Sequence, residues 1–380
     1  MVSMCIARAH AGTSSGTPCT PSGVSIKGRV EVLSSGTTFS VTMKRGTQPA
    51  GGRAKSEKRP PTSAEQRATN VPKATNSADD QPRSSDSQES ILHRTALSLA
   101  GHALPPRKAA ARTLAQFAQL RRLDLSDMKP SDDAPDGLIN LHLLTLAESL
   151  SKKQAKKSDT PPLSKRLTWV NLSNNEALGT RDDALDGIDA FAALNGTCAT
   201  DAVLNVSHCS LRALPVGLAA LEQLKALVVS HNQITRLPTV FPHFPELNTL
   251  VLSNNQLTHL PKTLPASLPG LKKLSISHNL LEDGDSLPDF GVCAQLREVR
   301  LAGNKSLARL PEHIQRWGRG VDGGAPGLVL LDASDCGLNE WISIAPLLEQ
   351  LDERRKGLVN LSLKGNAIAE REDYEEKVRP

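Results

Sequence analysis

Residues 224–281 write one phrase three times: LKALVVSHNQI from Leu224, LNTLVLSNNQL from Leu247 and LKKLSISHNLL from Leu271, with Asn232, Asn255 and Asn279 in register at spacings of 23 and 24 residues. A unit this short cannot enclose a core of its own. Stacking copies against one another solves that problem, which makes a recurrence of this length the mark of a repeat array. Within each phrase the apolar letters alternate with others over a few residues, as a short strand with one buried face requires.

Taking the Asn as a marker, the register continues outward to Asn175, Cys209, Asn304, Cys336 and Asn366, with weaker copies at Met128 and His102. Successive intervals from His102 are 26, 47, 34, 23, 23, 24, 25, 32 and 30 residues. Residues 89–380 therefore read as one array of about nine to ten repeats. A second column follows each strand: Leu214-Pro215, Leu237-Pro238, Leu260-Pro261, Leu287-Pro288 and Leu310-Pro311. Proline fixes φ and lacks an N–H, so it suits the side of a coil where no hydrogen-bonded ladder runs.

The phrase LxxLxLxxN resembles the leucine-rich repeat family, and the 23-residue period with "LP" resembles its intracellular Ras-suppressor-like class. That resemblance implies an α/β solenoid with a curved parallel sheet on its concave face and an irregular or helical convex side. It also implies that the Asn side chain turns inward to bond backbone groups of neighbouring turns. Cys209 and Cys336 carry a weak donor in that slot, whereas Met128 carries none. The tail 367–380 resembles the short segment that caps many intracellular members, with Tyr374 and Val378 in its apolar places.

Where an interval lengthens, material has been inserted, near 129–164, 179–200 and 318–327. The first insertion predicts a helix through Leu138, Leu141, Leu144 and Leu146 that ends in Lys152, Lys153, Lys156 and Lys157. The second predicts a short helix in RDDALDGIDAFAALNG, and the third, GRGVDGGAPG, a loop. Trp341, Ile344, Leu348 and Leu351 stand at helical spacing, which predicts a buried helix face for them.

Residues 1–88 differ in kind. One aromatic residue, Phe39, stands among Ser, Thr, Gly, Pro, Lys and Arg, so little apolar surface is available to offset the entropy of ordering. Residues 1–63 hold nine Lys and Arg against two Glu, which supplies the excess behind the net charge of +5. The segments Lys44-Arg45 and KSEKR (55–59) have the composition of a nuclear-import or RNA-contacting patch, and Met43 opens a second possible translation start. None of the six cysteines forms a CxxC pair, and no apolar run reaches the length of a membrane span; both point to a reduced, intracellular setting, cytoplasmic or nuclear.

Catalytic signatures are missing from the chain: it has no phosphate loop ending in Gly-Lys-Ser/Thr, no HExxH and no GxSxG. His208, His231 and His278 share the position before the Asn slot, with Asn254 between the last two; His208 and His231 could be neighbours, but they lack a third ligand because Cys209 is committed inward, so no metal or other cofactor is expected. Function then falls to the strand positions that the core does not use. One outward column runs Arg122, Trp169, Val203, Ala226, Thr249, Lys273, Glu298, Leu330, Asn360; the next runs Asp124, Asn171, Asn205, Val228, Val251, Ser275, Arg300, Asp332, Ser362. Trp169, Val203, Val228 and Val251 read as an apolar row on the concave face, flanked by Lys273, Arg300 and Asp332. Such a row marks a protein partner's site, unless the helix of the first insertion covers it. The reading is a non-catalytic scaffold that binds a protein, with neither small-molecule substrate nor membrane. Two alternatives are a ribonucleoprotein component whose basic arm contacts RNA, and, as some capped relatives imply, the regulatory subunit of a phosphatase or another enzyme.

Overall fold

The computed structural model describes residues 92–132, 137, 142–180, 198–345, 347 and 358–378. The arm 1–88, the second-insertion helix expected over 181–196, and Leu138, Leu141, Leu348 and Leu351 lie outside the described residues.

Ten strands follow one another in chain order, and each pairs in parallel with the next: β1 (Ala96–Ser98), β2 (Arg122–Asp124), β3 (Leu167–Asn171), β4 (Cys198–Asn205), β5 (Leu224–Val228), β6 (Thr249–Val251), β7 (Lys273–Ser275), β8 (Glu298–Arg300), β9 (Leu330–Asp332) and β10 (Asn360–Ser362). Adjacent parallel strands in strict sequence order require the chain to coil once per strand. This is the solenoid that the period demanded. The ladder does not stop at the strand ends, since His208 N–H donates to Ser230 O, His231 N–H to Ser253 O and Asn254 N–H to Ser277 O. Each turn is thereby tied to the next for several residues beyond the strand ends.

Each turn contributes the same apolar letters to one continuous core. In the turn of β6 these are Leu247, Leu250 and Leu252 from the strand phrase, Leu257 after the Asn, and Leu260 before the proline, all buried. The Leu-Pro column turns the chain into short 3-10 segments at Val216–Ala220 and Glu312–Arg316, each entered through its proline. Aromatic rings thicken this side of the coil. Phe241 meets Phe244 edge-on at 5.9 Å, and Phe290 meets Trp317 at 5.2 Å. Such contacts add about 0.5–1.5 kcal/mol each beyond area burial.

The Asn column forms the internal ladder that the resemblance implied. Asn255 Nδ2 donates to Val229 O and Leu252 O at 2.9 Å, while its Oδ1 accepts from Ile234 N at 3.2 Å. Asn279 repeats the pattern on Leu252 O, Ile276 O and Leu257 N. Successive amides therefore share carbonyls: Leu252 O receives both Asn255 and Asn279. The cysteines act as partial substitutes. Cys209 Sγ reaches Leu172 O at 3.2 Å and Cys336 Sγ reaches Leu301 O at 3.5 Å. Burial pushes the Cys209 thiol up to about 12 and the Cys336 thiol to about 11.

Two helices precede the regular turns, α1 (Arg107–Gln116) and α2 (His142–Ala155), and they pack along one another. The first-insertion helix thus exists, starting at His142, and its Leu144 and Ala147 join the core cluster with Leu123 and Leu125. Arg166 ties the pair down, with Nη1 donating to Phe117 O and Nη2 to Ser151 Oγ. Two further single-turn helices are α3 (Ala177–Thr180) and α4 (Leu264–Ser267).

At the other end, α5 (Tyr374–Val378) places Tyr374 and Val378 in the core cluster. Of the helix expected from Trp341 onward, Trp341–Ser343 form a 3-10 turn, while Ala345 and Leu347 are helical. Trp341 is only partly buried: its ring stacks on Tyr374 at 6.4 Å, and its Nε1 donates to Asp373 Oδ2 at 3.0 Å. The indole needs a hydrogen-bond partner, and the edge of the array supplies one. Residues 318–327 are irregular, as expected, with left-handed backbone at Gly318 (φ 74°), where an added Cβ would lie 2.2 Å from Leu296 O.

Candidate functional site

The strand register fixes which residues are neighbours on the outer face of the sheet. Arg122, Trp169, Val203, Ala226, Thr249, Lys273, Glu298, Leu330 and Asn360 are successive partners in one row; Asp124, Asn171, Asn205, Val228, Val251, Ser275, Arg300, Asp332 and Ser362 are successive partners in the next. The residues between these rows from β2 to β9, such as Leu123, Val170, Leu204, Leu227 and Leu250, are buried on the core side, and Leu361 in β10 is partly buried. Both columns read from the sequence are therefore physical rows.

One expectation is corrected. Trp169, Val203, Val228 and Val251 do not form a single row: Trp169 pairs with Val203 in the first, and Val228 with Val251 in the second. The apolar strip is a diagonal that crosses from one row to the other between β4 and β5. Its members are also unequally exposed. Trp169, Val203 and Val251 are partly exposed, but Val228 retains only 8% of its surface. Among the described residues, the expected cover does not lie over this strip. α2 packs against α1 and against the 3-10 turn at Leu163–Lys165, on the core side of the sheet, so it does not lie over Trp169.

Charge brackets the diagonal. At the β2 end, the Arg122 guanidinium lies 4.7 Å from the Trp169 ring centroid, a cation–π contact worth about 0.5–1 kcal/mol where exposed. Asp124 is held by Ser98 Oγ, Ser126 Oγ and Asn171 Nδ2. At the other end, Lys273 Nζ meets Glu298 Oε1 at 2.9 Å, while Asp332 accepts from Ser334 Oγ. Arg300 is exposed beside them. Lys273 is thus largely neutralised, and Arg300 is the cation available at that edge.

The rim formed by the position before each Asn slot has a backbone feature that was not read from the sequence. The residue before each Asn slot has left-handed backbone in all ten turns: Gly101, Asp127, Asn174, His208, His231, Asn254, His278, Gly303, Asp335 and Gly365 lie between φ 51° and 77°. Only Gly, Asn, Asp and His occur there, the types that tolerate this conformation best. That composition was visible in the sequence and is the signal that could have revealed the rim. His208 and His231 stack at 4.1 Å with planes 10° apart, and His231 Nε2 faces Asn254 Nδ2 at 3.3 Å. Desolvation, then the nearby His208 and His278, hold the His231 pKa below its ordinary value. Among the described residues no group of three or more His, Cys, Asp or Glu is placed to hold a metal.

A family model described as leucine rich repeat matches residues 202–257 and again 245–305. Residues 202–305 are leucine-rich repeats. The leucine-rich repeat register runs well beyond the matched span, through all ten strands. Among solved structures, this leucine-rich repeat chain is similar to an internalin (inlF) from Listeria monocytogenes str. 4b F2365, at 17% identity and a TM-score of 0.44, covering 71% of this chain and 61% of that one. It is also similar to the protein in the TLR13-ssRNA13 complex, at 18% identity and a TM-score of 0.39, covering 67% of this chain and 33% of the other. The chain therefore spans less than two thirds of the length of each. No curated protein matches it. Leucine-rich repeat arrays are interaction modules that present an extended inner surface, and among the described residues no helix is long and apolar enough to cross a membrane.

Proposed function

We propose that the outer face of β3–β6, the concave side expected from the sequence, captures a protein partner, and that the chain acts as a non-catalytic scaffold. The observation that carries this is the diagonal of Trp169, Val203, Val228 and Val251, uncharged and partly exposed at Trp169, Val203 and Val251, with Arg122 stacked at one end and the Lys273–Glu298 pair, Arg300 and Asp332 at the other. An apolar centre with a polar rim is the usual anatomy of a protein interface. Tryptophan is among the residues that most often dominate binding energy, at about 2 kcal/mol or more on truncation. Because the sheet is tied by backbone ladders and the Asn column, little of it must be ordered when a partner arrives, which lowers the entropic cost of association.

A photo-crosslinking amino acid placed at Thr249, beside Val251 on the outer face of β6, tests the reading against the same group at Val240, which is 83% exposed beyond the Leu237-Pro238 column. Crosslinks to discrete proteins from Thr249 and not from Val240 support it. Equal or reversed yields would overturn it.

A further inference from the structure

The pair α1 and α2 carries a feature that the sheet face does not explain. α1 turns Ala110, Ala111, Leu114 and Ala115 inward and leaves Arg107, Lys108 and Arg112 exposed. α2 buries Leu143, Leu144 and Ala147 and exposes Lys152 and Lys153, with Lys156 and Lys157 just beyond its end. Because Ala115 is short, a notch of about 210 Å³ opens between the helices, floored by Ala115 and Leu150 and walled by Arg112, Lys153, Gln154 and Lys157.

Three observations bear on what this notch takes. The favourable interaction of lysines with a helix C-terminus accounts for Lys152 and Lys153, but Arg112 is not in the last turn of α1 and has no such reason to be there. The acid on these two helices, Glu148, is buried and holds Lys152 at 3.3 Å. Among the described residues no carboxylate lines the notch and no ion pair engages Arg112, Lys153 or Lys157. The wall is nonetheless mostly carbon, from the long side-chain stems and the two apolar floor residues, so the notch combines cationic tips with an apolar bottom. Its volume is below the 300–1,000 Å³ typical of sites for whole small molecules. It suits one aliphatic side chain flanked by carboxylates.

We propose that the α1–α2 notch docks an acidic peptide segment of a protein partner, placing one aliphatic side chain on Ala115 and Leu150 and carboxylates on Arg112, Lys153 and Lys157. This surface is independent of the sheet diagonal. Single-stranded RNA is the less suitable occupant, because its affinity draws on aromatic stacking platforms as well as on phosphate contacts, and no aromatic ring lines the notch.

The test uses the full chain and a fluorescein-labelled peptide of alternating Glu and Asp with a central photo-leucine. The Arg112→Glu/Lys153→Glu/Lys157→Glu variant changes only exposed side chains, so a matching thermal melt is expected. Losing three ion pairs at about 0.5–1 kcal/mol each corresponds to a fall in peptide affinity of about tenfold to 100-fold. Irradiation should place the crosslink on α1 or α2, and Trp169→Ala should leave peptide affinity unchanged, which separates failure here from failure of the sheet reading. Filling the notch with Ala115→Met should weaken the peptide without altering charge. Unchanged affinity in the triple variant would overturn the proposal, as would crosslinks that fall elsewhere in the chain. So would a 12-residue oligouridylate that outcompetes the peptide and loses more affinity through the same variant.

Discussion

Replacing Asn255 with alanine isolates the contribution of one rung of the internal ladder. The side chain gives up two donated bonds at 2.9 Å, to Val229 O and Leu252 O, one accepted from Ile234 N at 3.2 Å, and a long contact to Ser253 O at 3.4 Å, an acceptor that keeps the His231 N–H. Neither carbonyl is orphaned: Val229 O keeps the amide of Asn232 and Leu252 O keeps that of Asn279. The Ile234 N–H has no such reserve, and Ile234 is fully buried. An unsatisfied buried N–H costs about 1–3 kcal/mol, and each lost bond whose acceptor stays paired about 1 kcal/mol. The sum is about 3–5 kcal/mol, near the top of the range for a single substitution. Asn255→Cys should recover about 1 kcal/mol of this, because Cys209 shows that a thiol in the slot reaches a ladder carbonyl. Equilibrium urea unfolding followed by far-UV circular dichroism gives the loss, and native-state hydrogen exchange locates it at the Ile234 amide. If Asn255→Ala costs less than about 1 kcal/mol, or the Ile234 amide stays as protected as before, the shared-carbonyl account is wrong.

The left-handed rim predicts that His231→Asn costs less than about 1 kcal/mol, whereas His231→Val costs about 1–2 kcal/mol more; urea midpoints of the two variants decide it. The imidazole itself predicts an acid sensitivity. Since His231 binds its proton less readily folded than unfolded, the unfolded chain holds more protons, so stability is full above the ordinary histidine pKa of about 6.5 and is lost as pH falls below it. The urea midpoint should therefore decline between pH 7 and pH 5, and decline less in His231→Asn. The buried thiols predict chemical silence. Cys209 and Cys293, pushed up to about 12, and Cys336, to about 11, should resist iodoacetamide at pH 8 in the native protein and react in urea, as peptide mass mapping will show.

Much of the fold could be read from the chain because its decisive interactions are local in register. The inward Leu letters, the Asn slot and the Leu-Pro column recur at one period, so Leu250, Asn255 and Leu260 each have a counterpart one turn away under the same constraint. The two outward columns followed from the same alternation and became true rows. The alternation already set Trp169 and Val203 in one column and Val228 and Val251 in the next, and strand pairing shows that difference to be a diagonal across the sheet and not one row. Burial, by contrast, was invisible. Val228 keeps only 8% of its surface, so Val228→Asp would place a charge where little water reaches, whereas Val251 keeps partial access. The α1–α2 notch escaped detection because α1 is not part of the period. Its basic letters acquire meaning only beside those of α2.

The most direct test of the scaffold reading is quantitative proximity labelling with the full chain and with a Trp169→Ala/Val251→Asp variant, after thermal melts have shown that the two are equally folded. Both positions are partly exposed and neither belongs to the core, so the fold should survive. Loss of a tryptophan anchor and insertion of a charge into the apolar diagonal should together weaken capture by about 100-fold, from about 3 kcal/mol or more. The account predicts that a discrete set of neighbours disappears from the labelled proteins of the variant. An unchanged set of neighbours at equal stability would contradict it.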